Sequence, residues 1–227
     1  MAATGRPFSV VLVDLDGTMV DSAPGITSTL AETLAELGLP TPPPSRLLEF
    51  VGPPIMDGFR DLVGLDPEQS ERALAVYRTR YRERGAFDAA RYPGVREALL
   101  AIRDAGLPLA VATSKPETQA KRILQHFGLA DLFAVIAGAS DDEVRSEKAD
   151  VITWCLDLLR EQGVDTSSPV MIGDRIHDVE GAAAHGIPTL FAGWGYGSPA
   201  EASGAIAIAD EPAALPALVA AGRPVGD

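Results

Sequence analysis

The sequence predicts an α/β fold in which a parallel sheet is flanked by helices and interrupted near its start by a helical insertion. Three observations carry that prediction. From residue 108 onward, strand-like and helix-like segments alternate, as βαβ units do. Near its start the chain runs through VVLV (10–13), an apolar, branched stretch with the length of a strand buried on both faces. Between these parts, residues 20–91 show helical runs and turn signals but no strand pattern.

In chain order, ITSTLAETLAELG (26–38) repeats Ile26, Leu30, Leu34 and Leu37 on one helical face, with Gly38 as a stop. LPTPPPS (39–45) is a proline-rich connector, and FVGPPIMDG (50–58) reads as a second punctuated turn. PEQSERALAVYRTRYRERG (67–85) predicts a long, charged helix, and turn-like RYPGV (91–95) marks the return to the sheet. There PLAVAT (108–113), LFAVIAGA (132–139), PVMIGD (169–174) and PTLFAG (188–193) read as strands, with GAIAIAD (204–210) as an edge strand. Helices are expected over 116–128, 148–163 and 177–186.

A chain of 227 residues with 46% hydrophobic and 22% charged residues has the composition of a folded protein. Its formal charge of −13 argues against nucleic acid as a partner, because phosphate backbones need a basic surface. An anionic substrate therefore needs a local positive site. The single cysteine, Cys155, excludes an intrachain disulfide, fits a reducing compartment, and is expected to be a buried structural thiol. No leader pattern and no bilayer-length apolar run occurs, so a cytoplasmic protein without a membrane partner is expected. MAATGRP (1–7) reads as a loose tail, and the expected assembly is a monomer or small homo-oligomer.

Ligands of open parallel sheets bind beyond the carboxyl ends of the strands. The first strand delivers Asp14 and Asp16, which point the same way if the chain stays extended. Such like charges are tolerated when a cation sits between them or one is protonated. The next strand delivers Thr113 and Ser114; Lys148 opens a later helix; PVMIGD ends in Asp174, with Asp178 about one helical turn on. These parts suit metal-assisted phosphoryl transfer. Oxygen ligands from several loops favour Mg²⁺. One carboxylate can attack phosphorus, and a second can protonate the leaving alkoxide and then deprotonate water. Lys148 and Thr113 would stabilise charge on the phosphoryl group, with amides at Gly17, Thr18 and the 114–116 turn as further contacts.

At these residues the chain resembles the haloacid dehalogenase superfamily. DLDGTMVDS (14–22) is similar to its first motif, DxDGT, and ATSK (112–115) to its second. RSEKADVI (145–152) resembles the lysine motif and IGDRIHD (172–178) the GDxxxD motif, all in the expected order. FVGPP, YPGV and WGYGS further resemble the branch containing phosphoglycolate phosphatases. The resemblance implies a Rossmann-like core over 1–19 and 92–227 and an α-helical cap over 20–91. It implies Asp14 as nucleophile and Asp16 as general acid/base, with Mg²⁺ held by Asp14, the main-chain carbonyl of Asp16, and Asp174. Thr113, Ser114 and Lys148 would bind the phosphoryl group, and Asp178 would support the metal or Lys148 from behind. The expected activity is hydrolysis of a small phosphorylated metabolite: phosphoglycolate-like, a sugar phosphate or a nucleoside monophosphate. A phosphomutase is the alternative. A dehalogenase fits less well because it has no use for an acid/base at Asp16, and a non-catalytic binding protein remains the bland case.

Plainer readings stand beside these. Asp14 and Asp16 can cap a turn, Asp178 can be a helix-start carboxylate, and Lys115 and Arg145 compete with Lys148 for the phosphate. Arg175 and His177 are expected at a rim, while Trp194 and Tyr196 line an entrance or pack a loop. Arg78, Arg80, Arg82 and Arg84 read mostly as a solvated face, with one of them able to reach a substrate anion. Phe50, Gly52 and Pro53 are the positions of the insertion expected to face substrate.

Overall fold

The computed structural model describes residues 7–142 and 144–222; residues 1–6 of the expected tail lie outside them. Strand β1 (Val10–Val13) is buried along its whole length. Its neighbour β2 in sequence (Val20–Asp21) leads into helix α1 (Ala23–Glu36), short helices α2 (Pro44–Leu47) and α3 (Ile55–Asp57), and the long α4 (Pro67–Glu83). Strand β3 (Ala90–Arg91) and helix α5 (Val95–Asp104) then lead into β4 (Leu109–Pro116), α6 (Glu117–His126) and β5 (Val135–Ala139). The chain ends through α7 (Lys148–Glu161), β6 (Pro169–Gly173), α8 (Ile176–Ala183), β7 (Thr189–Ala192), β8 (Ala207–Ala209) and α9 (Leu215–Ala221).

Six strands form one sheet in the order β5-β4-β1-β6-β7-β8, and every pairing in it is parallel. The alternation of side chains along β1 sorts its core into two layers. Val10 and Leu12 pack with Val151, Ile152 and Cys155 of α7, while Val11 and Val13 join Leu99 and Ile102 of α5. Cys155 is the buried thiol expected, and burial pushes its pKa up to about 12. With β1 in the middle and β8 at an edge, the expected parallel α/β sheet is the one observed.

The insertion differs from expectation in three places. Residues 20–91 do contain strands: Val20 pairs with Arg91 and Asp21 with Ala90 in a two-residue antiparallel ribbon. Runs this short carry no period to read. Helix α1 begins at Ala23 rather than Ile26, with proline in its first turn, where a missing amide costs nothing. The stretch 50–58 is more than a turn, since α3 continues into a π-helical turn over Gly58–Val63. Helix α4 starts as its sequence suggests: Gln69 N donates to Asp66 Oδ1 at 2.8 Å and Asp66 N to Gln69 Oε1 at 3.1 Å, a capping box. Among the described residues, no helix is long and apolar enough to cross a membrane.

Candidate active site

Where β1 ends, its two aspartates part company. Asp14 Oδ1 lies 2.7 Å from Lys148 Nζ, which is also 2.7 Å from Asp178 Oδ1 and donates to the Ala112 carbonyl at 3.0 Å. Asp16 Oδ2 instead accepts from Lys115 Nζ at 2.7 Å. Each like charge thus has its own ammonium, and all of these side chains are buried. Lys148 opens α7, which packs on β4 and β5, so a helix start places its ammonium beneath the end of β1.

Asp174, at the end of β6, is wholly buried and held from both sides. Thr18 Oγ1 donates to its Oδ1 and Tyr196 N to its Oδ2, each at 2.8 Å. Gly17 adopts φ +81°, and a Cβ there would stand 2.2 Å from Asp174 Oδ2, so only glycine lets this loop pass. Asp178 lies in the first turn of α8 and accepts from Arg175 N through Oδ2 at 3.0 Å.

One carboxylate oxygen from each of Asp14, Asp174 and Asp178 falls within a 4.8 Å cluster. Three carboxylates therefore face a single lysine. Burial, opposed by Lys148 and reinforced by Asp178, pushes the Asp14 pKa up to about 6. Burial and then Asp178 and Asp14 hold Asp174 well above the usual carboxylate range. For Lys148 burial disfavours charge, but Asp14 and Asp178 outweigh it and keep the ammonium charged. This excess of buried negative charge, on hard oxygen donors, is what a divalent cation would offset. The residues fit a metal.

Beside Asp16 opens a cavity of about 600 Å³ between the sheet end and the helical segment. Asp16, Ser114 and Lys115 form its floor; Phe50, Tyr77 and Tyr81 form an aromatic wall. Lys115 Nζ sits 4.7 Å from the centre of the Tyr81 ring, joining the two sides. The register of β4 breaks between Thr113 and Pro116, and within that irregular stretch the Lys115 ammonium turns to Asp16 while its amide donates to Thr113 Oγ1 at 3.3 Å. Two buried polar atoms of lining residues have no hydrogen-bond partner, Asp16 Oδ1 and Ser114 Oγ.

The other expected positions fall on both sides of this boundary. Phe50, Gly52 and Pro53 all line the cavity. Arg145 does not line the cavity: it donates to the Gly138 carbonyl at 3.2 Å and stacks over Trp154. Trp194 and Tyr196 brace the loop after β1, donating to the Thr18 carbonyl at 3.0 Å and to Asp21 Oδ1 at 2.7 Å. Arg175 is a tie between the two parts of the chain, pairing with Glu201 and donating to the Val51 carbonyl next to Gly52. Its partner there is main chain, which leaves no mark in the sequence. Lys115 was visible only as a competitor of Lys148, and Tyr81 had no signal beyond the periodicity of its helix.

An α/β sheet with buried carboxylates gathered at its strand ends defines a class of hydrolase-like enzymes, and comparison makes the assignment. The chain belongs to the haloacid dehalogenase-like hydrolase family, whose sequence model matches residues 11–192. It is 45% identical to the tyrosine-protein kinase PtkA of Mycobacterium tuberculosis over 86% of this chain and 66% of that protein. The solved structure of that kinase superposes with a TM-score of 0.75, covering 86% of this chain and 88% of the other. A 5'-nucleotidase of Pseudomonas aeruginosa is 37% identical, with 84% of this chain and 85% of that one aligned. A phosphoglycolate phosphatase of Cupriavidus necator is 34% identical over 98% of both chains, which places the chain in the phosphoglycolate phosphatase-like branch. The chain spans only 66% of the length of the kinase.

Proposed function

We propose that this protein is a Mg²⁺-dependent phosphatase that hydrolyses a small phosphate monoester through an aspartyl-phosphate on Asp14, with residues 20–91 acting as the cap. One observation carries this reading: Asp14, Asp174 and Asp178 share a buried cluster with Lys148, while Asp16 lines a substrate-sized cavity beside them. The names of the nucleotidase and phosphoglycolate phosphatase relatives support the substrate class.

In the first step the Asp14 carboxylate attacks phosphorus and the ester P–O bond breaks. Asp16 gives its proton to the departing alkoxide; it lines the cavity while Lys115 holds its Oδ2 in place. In the second step Asp16 takes a proton from water, which attacks phosphorus and releases Asp14 and inorganic phosphate. Lys148, Thr113 and Ser114 bind the phosphoryl oxygens, and Asp178 keeps the Lys148 ammonium aimed at Asp14. Mg²⁺ on Asp14, the main-chain carbonyl of Asp16, and Asp174 would supply neutralisation of the attacking and transferring charges.

The test is phosphate release from phosphoglycolate, sugar phosphates and nucleoside monophosphates, with and without Mg²⁺, beside Asp14→Asn. Magnesium-dependent release, lost in the variant, is expected. An isomerised phosphate without release would instead establish a mutase. Transfer from ATP to a tyrosyl peptide, with no ester hydrolysis, would favour the chemistry in the name of the kinase relative.

A further inference from the structure

The arginines of α4 divide between two jobs. Arg80 turns toward α1, where it pairs with Glu32 at 2.9 Å and with Glu36. Arg78 and Arg82, four residues apart and so on one face, line the cavity, and Arg122 of α6 joins them. Arg78 donates to the Asp141 carbonyl at 3.0 Å; Arg122 donates to Gln119 Oε1 at 3.1 Å and to the Arg82 carbonyl at 3.3 Å. Among the described residues, no carboxylate pairs with Arg82 or Arg122. These guanidinium groups are exposed or half-buried, whereas Asp16 and Lys115 are buried, so the arginines mark the mouth of the cavity and the aspartate its floor.

On the described lining, Lys115 pairs with Asp16, while Arg82 and Arg122 add two further guanidinium groups. A protein of net charge −13 thus concentrates positive charge at this opening. Between mouth and floor stand the buried rings of Phe50, Tyr77 and Tyr81. The volume, about 600 Å³, lies in the range of clefts that hold drug-sized ligands, roughly 300–1,000 Å³. A two-carbon leaving group would leave most of it empty.

We infer that the substrate is a phosphomonoester whose leaving group carries a flat or ring-shaped middle and an oxyanion at its far end, read by Arg82 and Arg122. This rests on the phosphatase reading and names its substrate class. The scissile phosphoryl sits at the floor, the ring lies along Phe50, Tyr77 and Tyr81, and the carboxylate or second phosphate reaches the guanidinium pair. Arginine suits that end because its planar donors bind oxyanions in a fork.

Phenyl phosphate and 4-carboxyphenyl phosphate differ in that far oxyanion alone. Their binding to the Asp14→Asn protein in Mg²⁺, measured by calorimetry, tests the inference without requiring turnover. The carboxylated ester is expected to bind about tenfold tighter, as one charge-assisted contact allows, and the preference should shrink with added salt. In that background Arg82→Gln with Arg122→Gln should abolish the preference, while Arg80→Gln should leave it intact. Equal affinities, a preference surviving the double substitution, or no measurable binding of the carboxylated ester would each overturn it. If the preference holds but wild-type protein hydrolyses neither ester, the binding site stands and the phosphatase reading alone falls.

Discussion

The floor and the mouth of the site are built in opposite ways. At the floor, Asp14, Asp174, Asp178 and Lys148 are buried within a few ångströms of one another, and every charge has a fixed partner. At the mouth, aromatic rings and solvent-edge arginines surround space. Buried charges gathered on strand ends fix one reaction geometry, because moving any of them strands the others. A wall of rings and long cationic side chains selects among ligands and tolerates change. The fixed charge cluster and the adaptable wall thus lie side by side, with Asp16 on the cavity and Asp14 two residues before it in the chain.

The largest effect should come from breaking the floor. Lys148→Met leaves Asp14 and Asp178 buried without their ammonium, and loss of one partner of a buried pair typically costs about 3–5 kcal/mol. A lowered urea midpoint is expected, together with a fall in kcat of at least about 10²-fold as phosphoryl stabilisation is lost. An unchanged midpoint would mean that the cluster does not hold the charge it displays.

A metal should matter to stability in a pH-dependent way. The folded-state pKa of Asp14, about 6, lies above its ordinary value of 3.8. Between those values the metal-free fold binds more protons than the unfolded chain, so this group makes stability fall as pH rises through the window. The penalty is complete above about 6. Mg²⁺ should therefore raise the Tm more at pH 7.5 than at pH 5, and an equal rise at both would contradict the charge excess.

On the cavity wall, Tyr81→Phe removes a buried hydroxyl and keeps the ring beside Lys115. Thermal stability should hold or rise slightly, while KM for the best substrate increases a few-fold, roughly the worth of one neutral hydrogen bond. A rise in KM without loss of Tm sharpens the division between selection and framework; the reverse would blur it. The smallest effect is expected at Arg80→Gln, which breaks exposed pairs with Glu32 and Glu36 facing away from the cavity. Exposed pairs are individually weak, so kcat/KM should stay at the wild-type value and Tm should barely move.

The same division explains what could be read in advance. The floor was legible because parallel strands are long apolar runs whose last residues must stand at the ligand-binding edge, which put Asp14, Thr113 and Asp174 together before any coordinates. Lys148 followed from its place at a helix start. The mouth was not legible. Helical periodicity put Arg78, Arg80 and Arg82 on known faces of α4, but not which face meets Glu32 and which meets the cavity. The Val20–Arg91 ribbon is too short to carry a pattern, and the Arg175 contact with Val51 uses main chain that any residue would offer.

The most direct measurement is acid quenching of the protein during turnover of its best substrate in Mg²⁺, followed by peptide mass mapping. Phosphate bound to the Asp14 peptide, absent in Asp14→Asn and increased when Asp16→Ala slows hydrolysis of the intermediate, is the expected result. Steady phosphate release with no labelled Asp14, or release undiminished in Asp14→Asn, would contradict the role given to the floor of the site.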